Sequence, residues 1–187
     1  MIPTQDQAKQ LWDKYELPEG KRRHVALVAR VARMLAQQID KVTKQQINIA
    51  LLNAAALLHD IDKNADKRSG ERHPDAAVRI LREEGMEEVA ALVKTHPLHA
   101  ILDGAIAPKS WEEKLLFLAD KMVKYEIMTV DKRFKLWNDE RLPPSAQIVL
   151  DRSYPKAKEL EREIFGIVRI FPDNLAQLAS EKEPGVY

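Results

Sequence analysis

The chain of 187 residues contains no cysteine, so disulfide bonds and thiolate metal ligands are both excluded. It has few glycines, and no run approaches the roughly 18 apolar residues that a membrane-spanning helix needs. The formal net charge is +1, from 30 basic and 29 acidic residues, which gives no electrostatic basis for binding nucleic acid or an anionic membrane. Any metal site must use nitrogen and oxygen ligands, and neither nucleic acid nor a membrane is an expected partner.

The composition is that of a folded globular domain. Apolar residues make up 45% of the chain and charged residues 32%, which is too apolar for a disordered segment. The length suits one well-buried core and is short for two, so we predict a single domain over residues 1–187. The first residues lack the pattern of a secretory signal peptide, and we therefore expect a cytoplasmic protein.

The spacing of apolar residues is helical nearly throughout, which predicts an all-α fold. Three pairs have the spacing of capping boxes and predict helix starts: Thr4 with Gln7, Thr43 with Gln46, and Ser110 with Glu113. The third of these helices is expected to run from 111 to about 128. A helical extension over 131–187 follows, and its long helix can pack on a partner, which allows a homodimer, or on the core of its own chain.

All five histidines of the chain lie between His24 and His99. The pair His59-Asp60 ends a strongly apolar helix, and imidazole and carboxylate are ligands that divalent metals favour. Helices packed together can bring one set of side chains to a single ion: His24, His59, Asp60 and Asp120. The sequence therefore predicts a metal site with positions left open for water and substrate.

A second metal site is indicated by two further histidines. His73 begins one helix and His96 ends another, so with the second oxygen of Asp60 they can hold another ion. Two ions about 3.5–4 Å apart clamp the attacking and leaving oxygens of a phosphoryl group and lower the pKa of a bridging water. No protein nucleophile is then required, and the sequence shows no glycine-rich phosphate loop and no Walker-type lysine.

These motifs resemble the HD superfamily of metal-dependent phosphohydrolases. Residues 57–63, Leu-Leu-His-Asp-Ile-Asp-Lys, resemble the HD core, and residues 118–121, Leu-Ala-Asp-Lys, resemble the closing aspartate; the resemblance spans residues 22–124. It implies an HD-type helical bundle that uses one or two divalent ions (Fe, Mn, Co, Ni, Zn or Mg) to activate water. The substrate so implied is a small phosphorylated molecule, a nucleotide, cleaved at a phosphoester or phosphoanhydride.

Within that superfamily the chain is similar in size and layout to the bacterial symmetrical dinucleoside-tetraphosphatases. It departs from them in reading His96-Pro-Leu-His99 and in the residues that follow Asp120. Asp62 stands where HD-I-G proteins have glycine. Two alternatives to a phosphohydrolase stay open: a di-iron oxygenase of the same superfamily and a non-catalytic nucleotide-binding regulatory module.

Basic residues near the motifs are candidates for substrate binding. Lys63 follows Asp60 by three residues and can hold a phosphate or polarise the attacked group, although a solvated lysine at the start of a loop is the alternative. Lys63 and Asp60 are the predicted catalytic residues. Arg22 and Arg23 precede His24 and are predicted contacts for substrate phosphates.

Other side chains have weaker signals. His99 can share a face with His96 if the helix resumes, and it is a candidate substrate contact. Asp62 is expected to be a loop carboxylate close enough to hydrogen-bond a water at the metal. Lys121 is expected to be structural or to support a metal ligand from behind. The tryptophans are expected to fill helix junctions: Trp12, Trp111 and Trp137.

Overall fold

A computed structural model gives the structure of residues 1–181. Within that range the regular structure is helical, apart from an isolated antiparallel β-bridge between Val123 and Ile127, so the all-α prediction is confirmed. The α-helices, in chain order, are α1 (Gln5–Lys14), α2 (Glu19–Thr43), α3 (Ile49–Leu58), α4 (Asp75–Glu83), α5 (Glu87–Val93), α6 (Trp111–Lys121), α7 (Val130–Asp139), α8 (Pro144–Val168) and α9 (Leu175–Glu181). Short 3₁₀ helices cover Leu98–Leu102 and Pro172–Asn174. Residues 182–187, the end of the predicted extension 131–187, lie outside the described residues.

Helix α3 lies at the centre of the bundle because it is apolar on nearly every side. Leu52, the alanines 54–56 and Leu58 are buried, and α1, α2, α5 and α6 all pack against this helix. Trp12 of α1 donates its indole N–H to the carbonyl oxygen of Leu57 at 2.8 Å. The carboxyl end of α3, where His59 and Asp60 follow, is therefore held inside the fold.

Helix α2 is amphipathic, with one stripe buried against α3 and α6. It begins at Glu19, earlier than the apolar spacing alone predicts, and His24 lies in its second turn. Its far end runs through Thr43, whose hydroxyl donates to the carbonyl oxygen of Ile39 at 2.8 Å. The predicted capping box of Thr43 with Gln46 is therefore wrong. Asn48 caps α3 instead, and its side chain accepts from the backbone N–H of Leu51 at 3.0 Å.

Helix α6 ends at Lys121, earlier than predicted. The chain then turns tightly: the N–H of Met128 donates to the carbonyl oxygen of Met122 at 2.8 Å, and Val123 bridges to Ile127. Buried Met122 and Val123 pin the turn to the core. This reversal replaces the last turns of the predicted helix and brings residues 124 and 125 to the pocket described below.

The carboxy-terminal helices pack on the rest of the chain. Helix α8 contacts α2, α6, α7 and the 3₁₀ helix Leu98–Leu102, and the hydroxyl of Ser153 donates to the carbonyl oxygen of Leu98 at 3.2 Å. One cluster of buried apolar residues extends from Ala8 to Ala179. Across the described residues, no helix has the length and apolar character to cross a membrane.

Candidate metal centre

The residues of the predicted first metal site converge from three helices. His24 comes from α2, the pair His59-Asp60 from the end of α3, and Asp120 from the last turn of α6. Nε2 of His24 lies 3.1 Å from Oδ1 of Asp120, and Nε2 of His59 lies 3.5 Å from the same oxygen. Oδ1 of Asp60 is 4.0 Å from Nε2 of His59. The structure thus brings all four predicted ligands together.

The predicted second set lies directly beside the first. Nε2 of His73 is 3.6 Å from Oδ1 of Asp60 and 3.0 Å from Nε2 of His96. The rings of His59 and His96 are 4.9 Å apart at their centroids. The two predicted sites therefore form one continuous cluster of imidazoles and carboxylates rather than two separate centres.

The ligand atoms group into three overlapping sets, each with its atoms within 4.8 Å of one another: His24 with His59 and Asp60, His59 with His96 and Asp120, and Asp60 with His73 and His96. Asp60 belongs to two of these sets, which suits a carboxylate that bridges two ions. The grouping of His96 with His59 and Asp120 was not expected from the sequence.

Backbone carbonyls fix the direction of two imidazoles. Nδ1 of His59 lies 2.8 Å from the carbonyl oxygen of Ala56, and Nδ1 of His96 lies 2.5 Å from that of Val93. A carbonyl oxygen only accepts, so each Nδ1 carries the proton and donates it. The Nε2 atoms of both rings are left to face the cluster, which is the usual arrangement of metal-binding histidines.

The cluster leaves ring nitrogens without a suitable hydrogen-bond partner. Burial lowers the pKa of His96 well below its usual value, and the neighbouring His59 and His73 lower it further, so the ring is neutral at pH 7. Its Nε2 then has no proton to give Nε2 of His73. Nε2 of His59 is buried and, among the described residues, has no hydrogen-bond partner. A divalent cation satisfies such lone pairs, and the residues present fit one.

The two aspartates are ionised and ready to act as ligands. Burial opposes the charge of Asp60, but His59 and the two lysines beside it hold its pKa well below the usual range. Nζ of Lys21 lies 2.9 Å from Oδ2, and Nζ of Lys63 lies 3.3 Å from Oδ1. Asp120 is partly buried, and although desolvation opposes its charge, Lys121 beside it holds its pKa well below the usual range.

The charge of the aspartates also acts on His59. Burial opposes protonation of this ring, yet Asp60 and Asp120 together raise its pKa. A positive charge is thus favoured at Nε2, where a proton and a metal ion compete for one position. A metal ion at this nitrogen would take the place of the proton.

Two residues outside the predicted ligand set hold the ligands in place. Asp62 is buried rather than solvated on a loop, and its Oδ1 lies 2.9 Å from Nδ1 of His73. Lys121 is buried as well; its Nζ donates to the carbonyl oxygen of His96 at 2.8 Å and to the carboxylate of Asp120. The position of Asp62, two residues after Asp60, indicated that it lies near the site, but the sequence does not show that it is buried.

Arg22 and Arg23 do not reach the cluster, which corrects their prediction as substrate contacts. The guanidinium of Arg22 points back to α1, where it donates to Asp13 at 2.5 Å and to the carbonyl oxygen of Leu17 at 2.7 Å. Arg23 is exposed and pairs with Glu19 one turn earlier at 3.1 Å. Both lie on faces of α2 that turn away from His24.

A pocket of about 590 Å³ opens above the cluster. Lys63 and His99, both predicted substrate contacts, line it, as does Lys21, and so do side chains that the sequence analysis did not assign to a site. The latter come from the turn after α6 and from α7: Lys124, Tyr125, Arg133 and Trp137. The cluster of histidines and aspartates therefore forms part of the wall of a cavity large enough for a small molecule.

The fold and the cluster define an all-α protein whose histidines and aspartates fit metal binding. The chain matches the family model of the HD domain over residues 22–125, which is more than half of its length. It therefore belongs to the HD domain family, most of whose members are metal-dependent phosphohydrolases. Comparisons with curated proteins and with solved structures found no match.

Proposed function

We propose that the protein is a metal-dependent phosphohydrolase that cleaves a phosphoester or phosphoanhydride bond of a small phosphorylated substrate, a nucleotide. The observation that carries the proposal is the convergence of imidazole Nε2 atoms on two ionised aspartates at the wall of an open pocket. The lone pairs of imidazole nitrogens and the oxygens of carboxylates, grouped in this way, are suitable ligands for divalent ions. Membership of the HD family supports the phosphoryl substrate.

The ligands would divide between two ions. His24, His59, Asp60 and Asp120 would hold one, and His73, His96 and Asp60 would hold the other. Divalent ions so held lower the pKa of a bound water and neutralise charge on a phosphoryl group. No cysteine, serine or threonine lines the pocket within the described residues, so the usual thiol and aliphatic hydroxyl nucleophiles are absent there.

Lys21 and Lys63 have a role of their own beside Asp60. Both amines lie within ion-pair distance of its carboxylate and at the pocket wall. They keep Asp60 ionised, and they are placed to contact the oxygens of a phosphate that approaches it. Of the predicted phosphate contacts, Lys63 is the one that this geometry supports, and we add Lys21.

Aromatic side chains in the same pocket support a nucleotide. Tyr125 is 83% exposed and Trp137 is half-buried, and both line the cavity together with the lysines. A flat exposed ring next to basic groups is a suitable platform for a nucleobase. The pocket volume lies in the ordinary range of about 300–1,000 Å³ for small-molecule sites.

The test is phosphate release from a panel of mononucleotides, dinucleoside polyphosphates and cyclic dinucleotides, by protein stripped with chelator and then supplied with Mn, Fe, Co or Ni. We expect turnover of one substrate class that depends on added metal. Asp60→Ala should abolish it, and Asp66→Ala, a change of an exposed carboxylate nearby, should not. Consumption of oxygen with iron, without phosphate release, would instead identify an oxygenase.

A further inference from the structure

The basic side chains of the pocket differ in one respect, which is whether a carboxylate neutralises them. The lysines all have an acidic partner: Lys21 and Lys63 pair with Asp60, Lys121 with Asp120, and Lys124 with Glu140. The remaining cation is Arg133 of α7, and none of the described carboxylates lies within ion-pair distance of it. Among the described residues, Arg133 is therefore the one pocket cation without a direct ion pair.

The guanidinium of Arg133 is also short of hydrogen-bond acceptors. Its Nε and Nη1 are buried and, among the described residues, meet no partner. Its central carbon stacks 3.8 Å above the ring of Trp137. Burial lowers the pKa of Arg133, and the carboxylates of Asp120 and Glu140 offset that effect only in part. Leaving a charged donor unsatisfied in this way is costly in folding terms.

Helix α7 holds that side chain in place. Buried Glu161 of α8 accepts from the first N–H of the helix, at Val130, at 3.2 Å. Asp131 accepts from Tyr154 at 2.5 Å and from Lys158 at 2.7 Å. The helix is therefore fixed to α8 at its amino end. A cationic group presented by a fixed helix is preorganised for a ligand, because no further ordering is needed on binding.

The position of Arg133 in the chain shows that it adds to the family's own site. The HD match ends at residue 125, whereas Arg133 and Trp137 lie one helical turn apart on α7, outside it. Both line the same pocket as Asp60 and His73. This part of the lining is thus supplied by the chain's own extension and lies in the same cavity as the cluster of candidate metal ligands.

We propose that Arg133 binds a second phosphate group of the substrate, one that is not hydrolysed, so that the preferred substrates carry at least two phosphates. The planar guanidinium presents paired N–H donors whose geometry matches phosphate oxygens. The inference rests on the proposed phosphohydrolase function, and it names the part of the substrate that lies away from the reacting centre.

The experiment compares two phosphate probes that differ in this second group, p-nitrophenyl phosphate and inorganic tripolyphosphate. Arg133→Met should raise KM for tripolyphosphate by about 10–100-fold, the effect of losing a charge-assisted pair of hydrogen bonds, and leave p-nitrophenyl phosphate within about twofold. Arg133→Lys should recover part of the loss. Lys135→Met, which removes a charge from an exposed position of the same helix, should leave both substrates unchanged.

Equal losses on both probes would overturn the proposal, because they would indicate a structural role of Arg133. No loss on either would overturn it as well. If Arg133→Met does not fold by circular dichroism, Arg133→Gln and Arg133→Lys carry the same comparison.

Binding separates this proposal from the proposed function. Tripolyphosphate is titrated into metal-loaded wild-type protein, Arg133→Met and Lys135→Met by calorimetry. If the wild type hydrolyses neither probe but binds tripolyphosphate, and Arg133→Met alone binds it at least tenfold more weakly, the phosphohydrolase fails and the phosphate site stands. Binding that is absent in the wild type, or unchanged in Arg133→Met, overturns the site.

Discussion

Nδ1 of His73 lies 2.9 Å from Oδ1 of Asp62, and this contact turns the other nitrogen of the ring toward His96 and Asp60. The carboxylate is fully buried and its second oxygen has no partner among the described residues. Carboxylates that accept from a metal-binding histidine fix its orientation and raise its basicity. Asp62 is therefore a positioning residue for the second of the two proposed ions.

The first prediction concerns that positioning role. Asp62→Asn keeps the shape of the side chain but removes the charge that makes His73 a strong ligand. We expect metal affinity at the second site to fall by about 10–100-fold, the usual effect of changing such a partner, with the first site retained. Elemental analysis gives the number of metal ions per chain, and calorimetry gives the affinity of each site. Asp66→Asn is the matched control; equal metal binding by Asp62→Asn and wild type would remove Asp62 from the site.

Metal binding should stabilise the fold. An ion present at about 100 times its Kd adds about 2.7 kcal/mol to the free energy of unfolding, which for a chain of this size corresponds to about 5–10 °C in Tm. Thermal denaturation of stripped protein with and without Mn²⁺ measures the shift. Asp60→Ala should abolish it, since Asp60 belongs to both proposed sites. A shift of the same size in Asp60→Ala would place the ion elsewhere.

Lys121 should matter most when the metal is absent. Its ammonium is buried between the carboxylate of Asp120 and the carbonyl oxygen of His96. Lys121→Met leaves Asp120 buried without its counter-ion, a change that typically lowers the free energy of unfolding by about 3–5 kcal/mol. A metal ion restores positive charge beside Asp120, so the loss should shrink in metal-loaded protein. Urea unfolding in both states measures it, with Lys114→Met on the same helix as the control. A loss independent of metal would contradict this reading.

The loop that leads to His73 should loosen in acid. Glu71 accepts from Arg79 at 2.6 and 3.0 Å and from the backbone N–H of Arg68 at 2.8 Å, and these bonds lower the pKa of Glu71 to about 2. Because the folded-state pKa lies below the ordinary value of 4.5, the stabilisation is complete above about pH 4.5 and is lost as the pH falls toward 2.

Glu71→Gln tests that window. The variant cannot ionise, so its Tm should fall less steeply than that of the wild type between about pH 5 and 2. Glu88→Gln, a change of an exposed glutamate on α5, should follow the wild type. Parallel plots of Tm against pH for the wild type and Glu71→Gln would show that the Glu71–Arg79 ion pair does not contribute to the pH dependence of stability.

The local part of the fold could be predicted because it depends on neighbouring residues. The capping boxes at Thr4 and Ser110 are present as predicted, since each needs only a partner three residues along. Thr43 has the same local pattern, yet α2 continues through it and its hydroxyl bonds backwards to Ile39. Packing of the apolar face of α2 on the core determines where this helix ends, and the residues next to Thr43 do not indicate that packing.

The convergence of the candidate metal ligands could be predicted because residue type and chain order carry the chemistry. Asp62 and Arg133 could not. The burial of Asp62 depends on His73, which approaches it from eleven residues further along the chain. Arg133 reaches the pocket because the chain reverses after Lys121, whereas the apolar pattern through Ile127 predicts a continuing helix. A helix and a turn can bury the same apolar residues, so periodicity does not distinguish them here.

The most direct test of the central claim is phosphate release by chelator-stripped protein as Mn²⁺ is added back, with tripolyphosphate as substrate. The account predicts no release from the stripped protein and a rise that saturates near two ions per chain. No release at any Mn²⁺ concentration, or release that is complete without metal, would contradict it.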